Sequence, residues 1–167
     1  AAAKAIAAYE RLVLTGNSIV DRAELAMRER VEEEGGGKLE PNAADFLKVL
    51  NAAYEAKDEN ALAALNLAGA KDEAKVKAVA ASLASGRALF NGKARCNSCH
   101  VGDNYSDGAF HNLGVGAKDG KLAADDLGRF GAQPLGHKDP ALVGAHKTPR
   151  LRQLLNTAPY MHDGKEA

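Results

Sequence analysis

The sequence predicts an all-α chain whose second half folds around a bound group rather than around its own side chains. Three observations predict this. Residues 1–90 hold 24 alanines, while all five histidines and both cysteines fall between Cys96 and His162. Glycine is skewed the other way, with 6 before Phe90 and 11 after it. Aromatic residues are only 5% of the chain and Trp is absent, so any core must be built from Leu, Val, Ile and Ala.

The helices can be placed in order. Residues 2–14 carry Ile6, Tyr9 and Val13 at i, i+3 and i+7, with Gly16 as a stop. Residues 19–34 present Val20, Ala23, Met27 and Val31 on one face, Met27 as a core residue. The Glu32-Glu33-Glu34 run is a solvated face, and Gly35-Gly36-Gly37 breaks the helix. Pro41 suits the first turn of a third helix with Phe46, Leu50, Ala53 and Tyr54 inward. Asp58 caps a short helix carrying Leu62 and Leu65, closed by Gly69. Residues 72–90 form a fifth helix facing inward through Val76, Val79, Leu83 and Phe90.

After Phe90 the periodicity fades. Nine glycines lie between Val101 and Lys147, with a short helical turn expected around Leu122–Phe130. Thr148-Pro149 reads as an N-cap and N1 proline opening a helix through Leu151, Leu154 and Leu155. A loop region this long in a compact domain needs something to organise it.

Charge narrows the function classes. Lys plus Arg equals Asp plus Glu at 22 each, which weighs against a nucleic-acid binder and gives no support for a polybasic membrane anchor. No apolar run is long enough to span a bilayer, and Ala1-Ala2-Ala3-Lys4 lacks the shape of a signal peptide.

One motif carries chemistry. Cys96-Asn97-Ser98-Cys99-His100 is Cys-x-x-Cys-His, the c-type haem attachment pattern. Two thiols at this spacing reach the two vinyl groups of one porphyrin, and the adjacent imidazole supplies the proximal iron ligand. The competing readings are weaker. A thioredoxin-like pair needs a βαβ context, a zinc site needs a second ligand pair, and a disulfide at this spacing is sterically poor. Covalent haem implies attachment outside the cytoplasm, normally in the bacterial periplasm. It also gives a Gly-rich, aromatic-poor region a large apolar body to fold against.

The surrounding residues extend the pattern. Leu89-Phe90-Asn91-Gly92-Lys93-Ala94-Arg95-Cys96, Asn104-Tyr105-Ser106-Asp107-Gly108 and Phe110-His111-Asn112-Leu113-Gly114 flank the motif. Asp126-Leu127-Gly128-Arg129, Lys147-Thr148-Pro149-Arg150-Leu151-Arg152 and Thr157-Ala158-Pro159-Tyr160-Met161-His162-Asp163-Gly164 follow in order. Together with Ala5–Arg11, Asn17-Ser18 and Asp21-Arg22, these segments resemble the carboxy-terminal, electron-transfer haem domain of bacterial dihaem cytochrome c peroxidases and MauG. The resemblance covers residues 4–22 and 82–164. It implies a cytochrome c-like haem domain over 1–167, with 23–81 as a helical insertion and 82–167 as the haem-binding core. The family's amino-terminal peroxidatic haem domain has no counterpart here. The helical segment that carries the family's distal ligand, Met or Tyr, would lie beyond Ala167. The sequence therefore reads as half of a two-haem architecture.

Single residues also have candidate roles, some from their own chemistry and some from the resemblance. Met161 is a candidate distal ligand, the alternative being a missing or partner-supplied one. His162 lies near the distal side by resemblance, or anchors a loop. Arg129 and Arg152, with Arg150 beside them, are candidates for the haem propionates. Thr157 and Pro159 match positions whose backbone carbonyls bind calcium in the family. His111 is expected in loop structure or at a propionate, and His137 and His146 at the surface.

Two principal functions stay open. One is electron transfer by a periplasmic monohaem domain, partnered by a small cytochrome or cupredoxin and by a second haem-bearing domain or chain. The other is a peroxidase or MauG-like enzyme with an open distal site and His162 as its acid–base group; the sequence assigns that histidine no carboxylate partner. A third reading makes the chain a haem-organised assembly subunit whose 23–81 helices bind a partner.

Overall fold

The computed structural model describes residues 2–10 and 15–166. The chain divides into two compact units, Ala1–Arg95 and Cys96–Ala167. The first is helical: α1 spans Ala2–Glu10, α2 Ile19–Glu33, α3 Ala43–Glu55, α4 Glu59–Ala63 and α5 Glu73–Asn91. None of these is long and apolar enough to cross a membrane.

Local chemistry fixes the starts of α2 to α5. Ser18 and Asp21 form a reciprocal capping box at α2, and Asn42 and Asp45 do the same at α3. Asp58 caps α4, as the sequence predicts, and Asp72 caps α5. Pro41 is buried one residue ahead of the Asn42 cap, not inside the first turn, because the Asn42 side chain takes the orphan N–H groups of Ala44 and Asp45. Gly69 does not close α4. Leu67 N–H bonds back to Leu62 O at 2.8 Å, and Asn66 at φ +54° makes the left-handed turn.

The core is centred on α3, which packs against α2 on one side and α5 on the other. Phe46, Leu50 and Val76 are fully buried, with Ala23, Ala53 and Ala80 filling the close approaches. Burying Phe46 alone is worth about 2–3 kcal/mol. Asp45 sits at this edge, 3% exposed, gripped by Arg30 through Nε and Nη2 at 2.9 and 3.0 Å. Burial raises the Asp45 pKa, but Arg30, the Asn42 N–H and Lys48 together pull it below the ordinary carboxylate range. Tyr54 donates to Leu67 O at 2.6 Å and ties the loop after α4 to α3.

One expectation changes here. Ile6 and Tyr9 of α1 are 58% and 68% exposed, so the predicted inward stripe is not buried; Arg11 and Val13 lie outside the described residues. Helix α5 packs on α3 within the first compact unit, and the second compact unit begins at Cys96.

The second unit is loop-rich. A 3-10 turn covers Cys96–Ser98, β1 is Phe110–His111, α6 is Gly128–Ala132, β2 is His146–Lys147, and further 3-10 turns cover Pro140–Leu142 and Leu154–Asn156. Strands β1 and β2 pair antiparallel, Phe110 opposite Lys147 and His111 opposite His146. This pairing overturns the helix expected after Thr148. The Thr148 N–H goes to Ala109 O at 2.9 Å and its carbonyl accepts from Ser106 Oγ at 2.8 Å, so Thr148 prolongs the ladder instead of capping. Leu154 and Leu155 are exposed on their single 3-10 turn. The turn expected at 122–130 forms later, at α6. There Gly128, at φ +54°, lies against Ala145, and the Arg129 N–H donates to Ala145 O at 2.7 Å.

Candidate functional site

Cys96 and Cys99 are half-buried on the 3-10 turn and form no disulfide. The His100 N–H bonds to Cys96 O at 3.0 Å, so the turn sets the imidazole directly after the second thiol. Nδ1 of His100 lies 2.7 Å from Tyr105 O. A carbonyl only accepts, so Nδ1 carries the proton and Nε2 keeps its lone pair for a metal. Tyr105, at φ +50°, presents that carbonyl from a turn closed by its own N–H to Gly102 O. Arg152 braces the same turn: its Nε donates to Asp103 O at 2.8 Å and its guanidinium covers the Tyr105 ring at 5.1 Å.

Does this unit fit a covalently held haem? The donor set fits, with two thiols and an imidazole whose free nitrogen is fixed. The packing fits as well. Among the described residues of the second unit, one hydrophobic residue, Ala145, is buried, while Leu113, Leu135 and Leu155 are 74%, 91% and 77% exposed. A unit with so little apolar interior lacks the body that its leucines would pack against.

The other predicted residues are placed as follows. The Arg129 guanidinium lies over the Phe110 ring at 5.0 Å, and Arg150 is exposed. Met161 is 50% exposed at φ +61°. Thr157 donates through Oγ1 to Leu154 O at 3.3 Å, and both Thr157 and Pro159 are exposed. His137 is exposed, as expected. His111 pairs through Nε2 with Asp107 at 2.8 Å, and this contact, first among several, holds the Asp107 carboxyl down to about 2. Asp107 and His111 both come close to Cys99, with ligand atoms within 4.8 Å.

His146 is not the simple surface residue expected. It sits in β2, and its ring stacks on His162 with centroids 3.7 Å apart and planes 11° from parallel. Both Nε2 atoms meet Asp126, at 3.1 Å from His146 and 3.0 Å from His162. His162 above all holds the Asp126 carboxyl below its ordinary range. His162 therefore has the carboxylate partner that the sequence did not reveal. These residues are 20 and 36 positions apart from Asp126, and only the β1–β2 ladder, which positions His146, hints at their meeting.

The chain is 41% identical over 88 residues to methylamine utilization protein MauG of Methylorubrum extorquens, covering 53% of this chain and 23% of that protein. It is 39% identical over 94 residues to MauG of Methylophilus methylotrophus, covering 53% and 24%. It is 35% identical over 102 residues to cytochrome-c peroxidase IdrP2 of Denitromonas iodatirespirans, covering 47% and 27%. Over about half of this chain these proteins are homologues, which supports a member of the dihaem cytochrome c peroxidase/MauG family. The chain spans about a quarter of the length of these curated relatives. No family model matches it, and no solved structure does.

Proposed function

We propose that this chain is a periplasmic c-type cytochrome domain of the peroxidase/MauG family that carries one covalent haem and transfers electrons within a dihaem-peroxidase-like system. The observation that carries the reading is the attachment turn, with Cys96 and Cys99 one helical turn apart and His100 held by its Nδ1 to Tyr105 O at 2.7 Å. In this reading the two thiols form the thioethers and Nε2 of His100 ligates the iron. Bound haem supplies a one-electron redox couple, which the chain tunes through burial, axial ligation and charge. Arg152 braces the His100 loop, and Arg152 and Arg129 are the candidates for the haem propionates. Met161 is the candidate sixth ligand. Its exposure, and its turn conformation at φ +61°, equally suit a ligand supplied from outside the described residues. Calcium on the Thr157 and Pro159 carbonyls, a small cytochrome or cupredoxin as donor, and a second haem-bearing domain or chain as acceptor belong to the same reading.

Optical spectra of the oxidised and reduced protein test it, after a haemochrome assay for covalent haem. A low-spin spectrum with a sulfur-to-iron band supports Met161 and electron transfer. A high-spin spectrum that changes on adding hydrogen peroxide overturns the simple carrier and favours the second reading, an oxidising enzyme with an open distal site. One observation supports that second reading. The His162–Asp126 hydrogen bond supplies the oriented acid–base pair that such chemistry needs.

A further inference from the structure

The stacked histidines hold more donor chemistry than a loop anchor needs. Asp126 precedes α6, His146 lies in β2 and His162 lies in the last turn of the chain, yet one ligand atom from each falls within 4.8 Å of the others. A single imidazole suffices to orient a carboxylate. Here two parallel rings turn the same edge, Nε2, toward the two oxygens of one carboxylate. A second feature keeps the approach open. Gly116, at φ +80°, faces this cluster, and a Cβ there would meet Asp126 Oδ2 at 3.5 Å, Asp163 Oδ2 at 3.7 Å and His162 Nε2 at 3.8 Å. The space that a side chain would fill is thus bordered by two carboxylates and an imidazole nitrogen.

We propose that Asp126, His146 and His162 form a second metal site, independent of the haem, for a divalent first-row transition ion. Two imidazoles and a carboxylate are borderline ligands of the kind that suits zinc and its neighbours rather than calcium or magnesium. The nearby Asp163 Oδ2 is taken by Lys165 Nζ at 2.7 Å, so the chain offers three ligands and water completes the fourth position. The ion clips together three segments of a unit that has almost no apolar interior. It also removes His162 from acid–base duty, so the same measurement bears on the oxidising-enzyme reading.

The test is calorimetric titration of the haem-loaded chain with zinc chloride. One equivalent is expected to bind, and Asp126→Asn and His146→Gln each to weaken it about 10-fold or more, since even the partners of metal ligands cost that much when lost. His137→Gln, at an exposed histidine, leaves binding unchanged. Absence of zinc binding, wild-type affinity in both variants, or equal loss in His137→Gln overturns the site. If the variants fail to fold by circular dichroism, zinc-edge X-ray absorption of the wild-type complex decides. Two imidazole ligands support the site, and any other number sinks it.

Discussion

His146 and His162 stack face to face at 3.7 Å while sharing one carboxylate, that of Asp126. The pair joins β2 to the final turn of the chain, a link that no local pattern in the sequence announces. It also concentrates two of the five histidines at one point, while the imidazole of His100 is engaged with Tyr105.

Gly128→Ala should damage the second unit more than a small substitution normally does. A Cβ at this position would lie 2.6 Å from Ala145 O and 2.7 Å from Ala145 N, and the backbone already has φ +54°. Clash with main chain plus left-handed strain amounts to about 2–4 kcal/mol. Chemical denaturation followed by the Tyr signal of the haem-loaded protein, or by Soret absorbance, reports it. An unchanged midpoint contradicts the packing of α6 against Ala145.

In the first unit, Phe46→Ala leaves a cavity between α3 and its neighbours. The expected loss is about 3–5 kcal/mol, read as a lower denaturant midpoint of the helical circular dichroism signal. Ile6→Ala, on the exposed face of α1, should shift the same midpoint very little.

The Asp107–His111 pair sets an acid limit. Asp107 has its carboxyl held at about 2 against an ordinary 3.8, so its contribution is complete above 3.8 and is lost as pH falls toward 2. The difference in stability between wild type and Asp107→Asn should therefore be constant down to about pH 4 and shrink below it. A difference that grows with acid would show that the carboxylate is not the stabilised form.

His100→Gly keeps both thiols and should retain covalent haem while losing the proximal imidazole. The expected sign is a change of spin state that added free imidazole reverses. Rescue separates a lost ligand from a misfolded loop, which imidazole would not repair.

Much of the first unit was legible in the sequence because helices announce themselves locally. Asp58 as a cap, and Phe46, Leu50 and Ala53 as an inward stripe, follow from spacing alone. The attachment turn was legible for the same reason, its five residues being contiguous. What escaped was everything decided by partners far along the chain. Thr148-Pro149 has the local chemistry of a helix start, but pairing to Ala109, 39 positions earlier, claims its N–H. The α5 spacing marked Val76, Val79 and Leu83, which pack in or against the core, but not that α3 receives the helix. Asp126, His146 and His162 could be seen singly in the sequence, and their meeting could not.

Among the described residues of the second unit Ala145 is the one buried hydrophobic, and on the proposed haem attachment this bears on how the protein matures. A segment that gains so little by closing on itself stays accessible while its cysteines are being modified, and closes once the porphyrin is in place. On that reading attachment comes first and compaction after. A Cys96→Ala/Cys99→Ala chain should accordingly be cut by protease throughout 96–166 while 19–91 survives, and equal resistance of both halves would reverse that order.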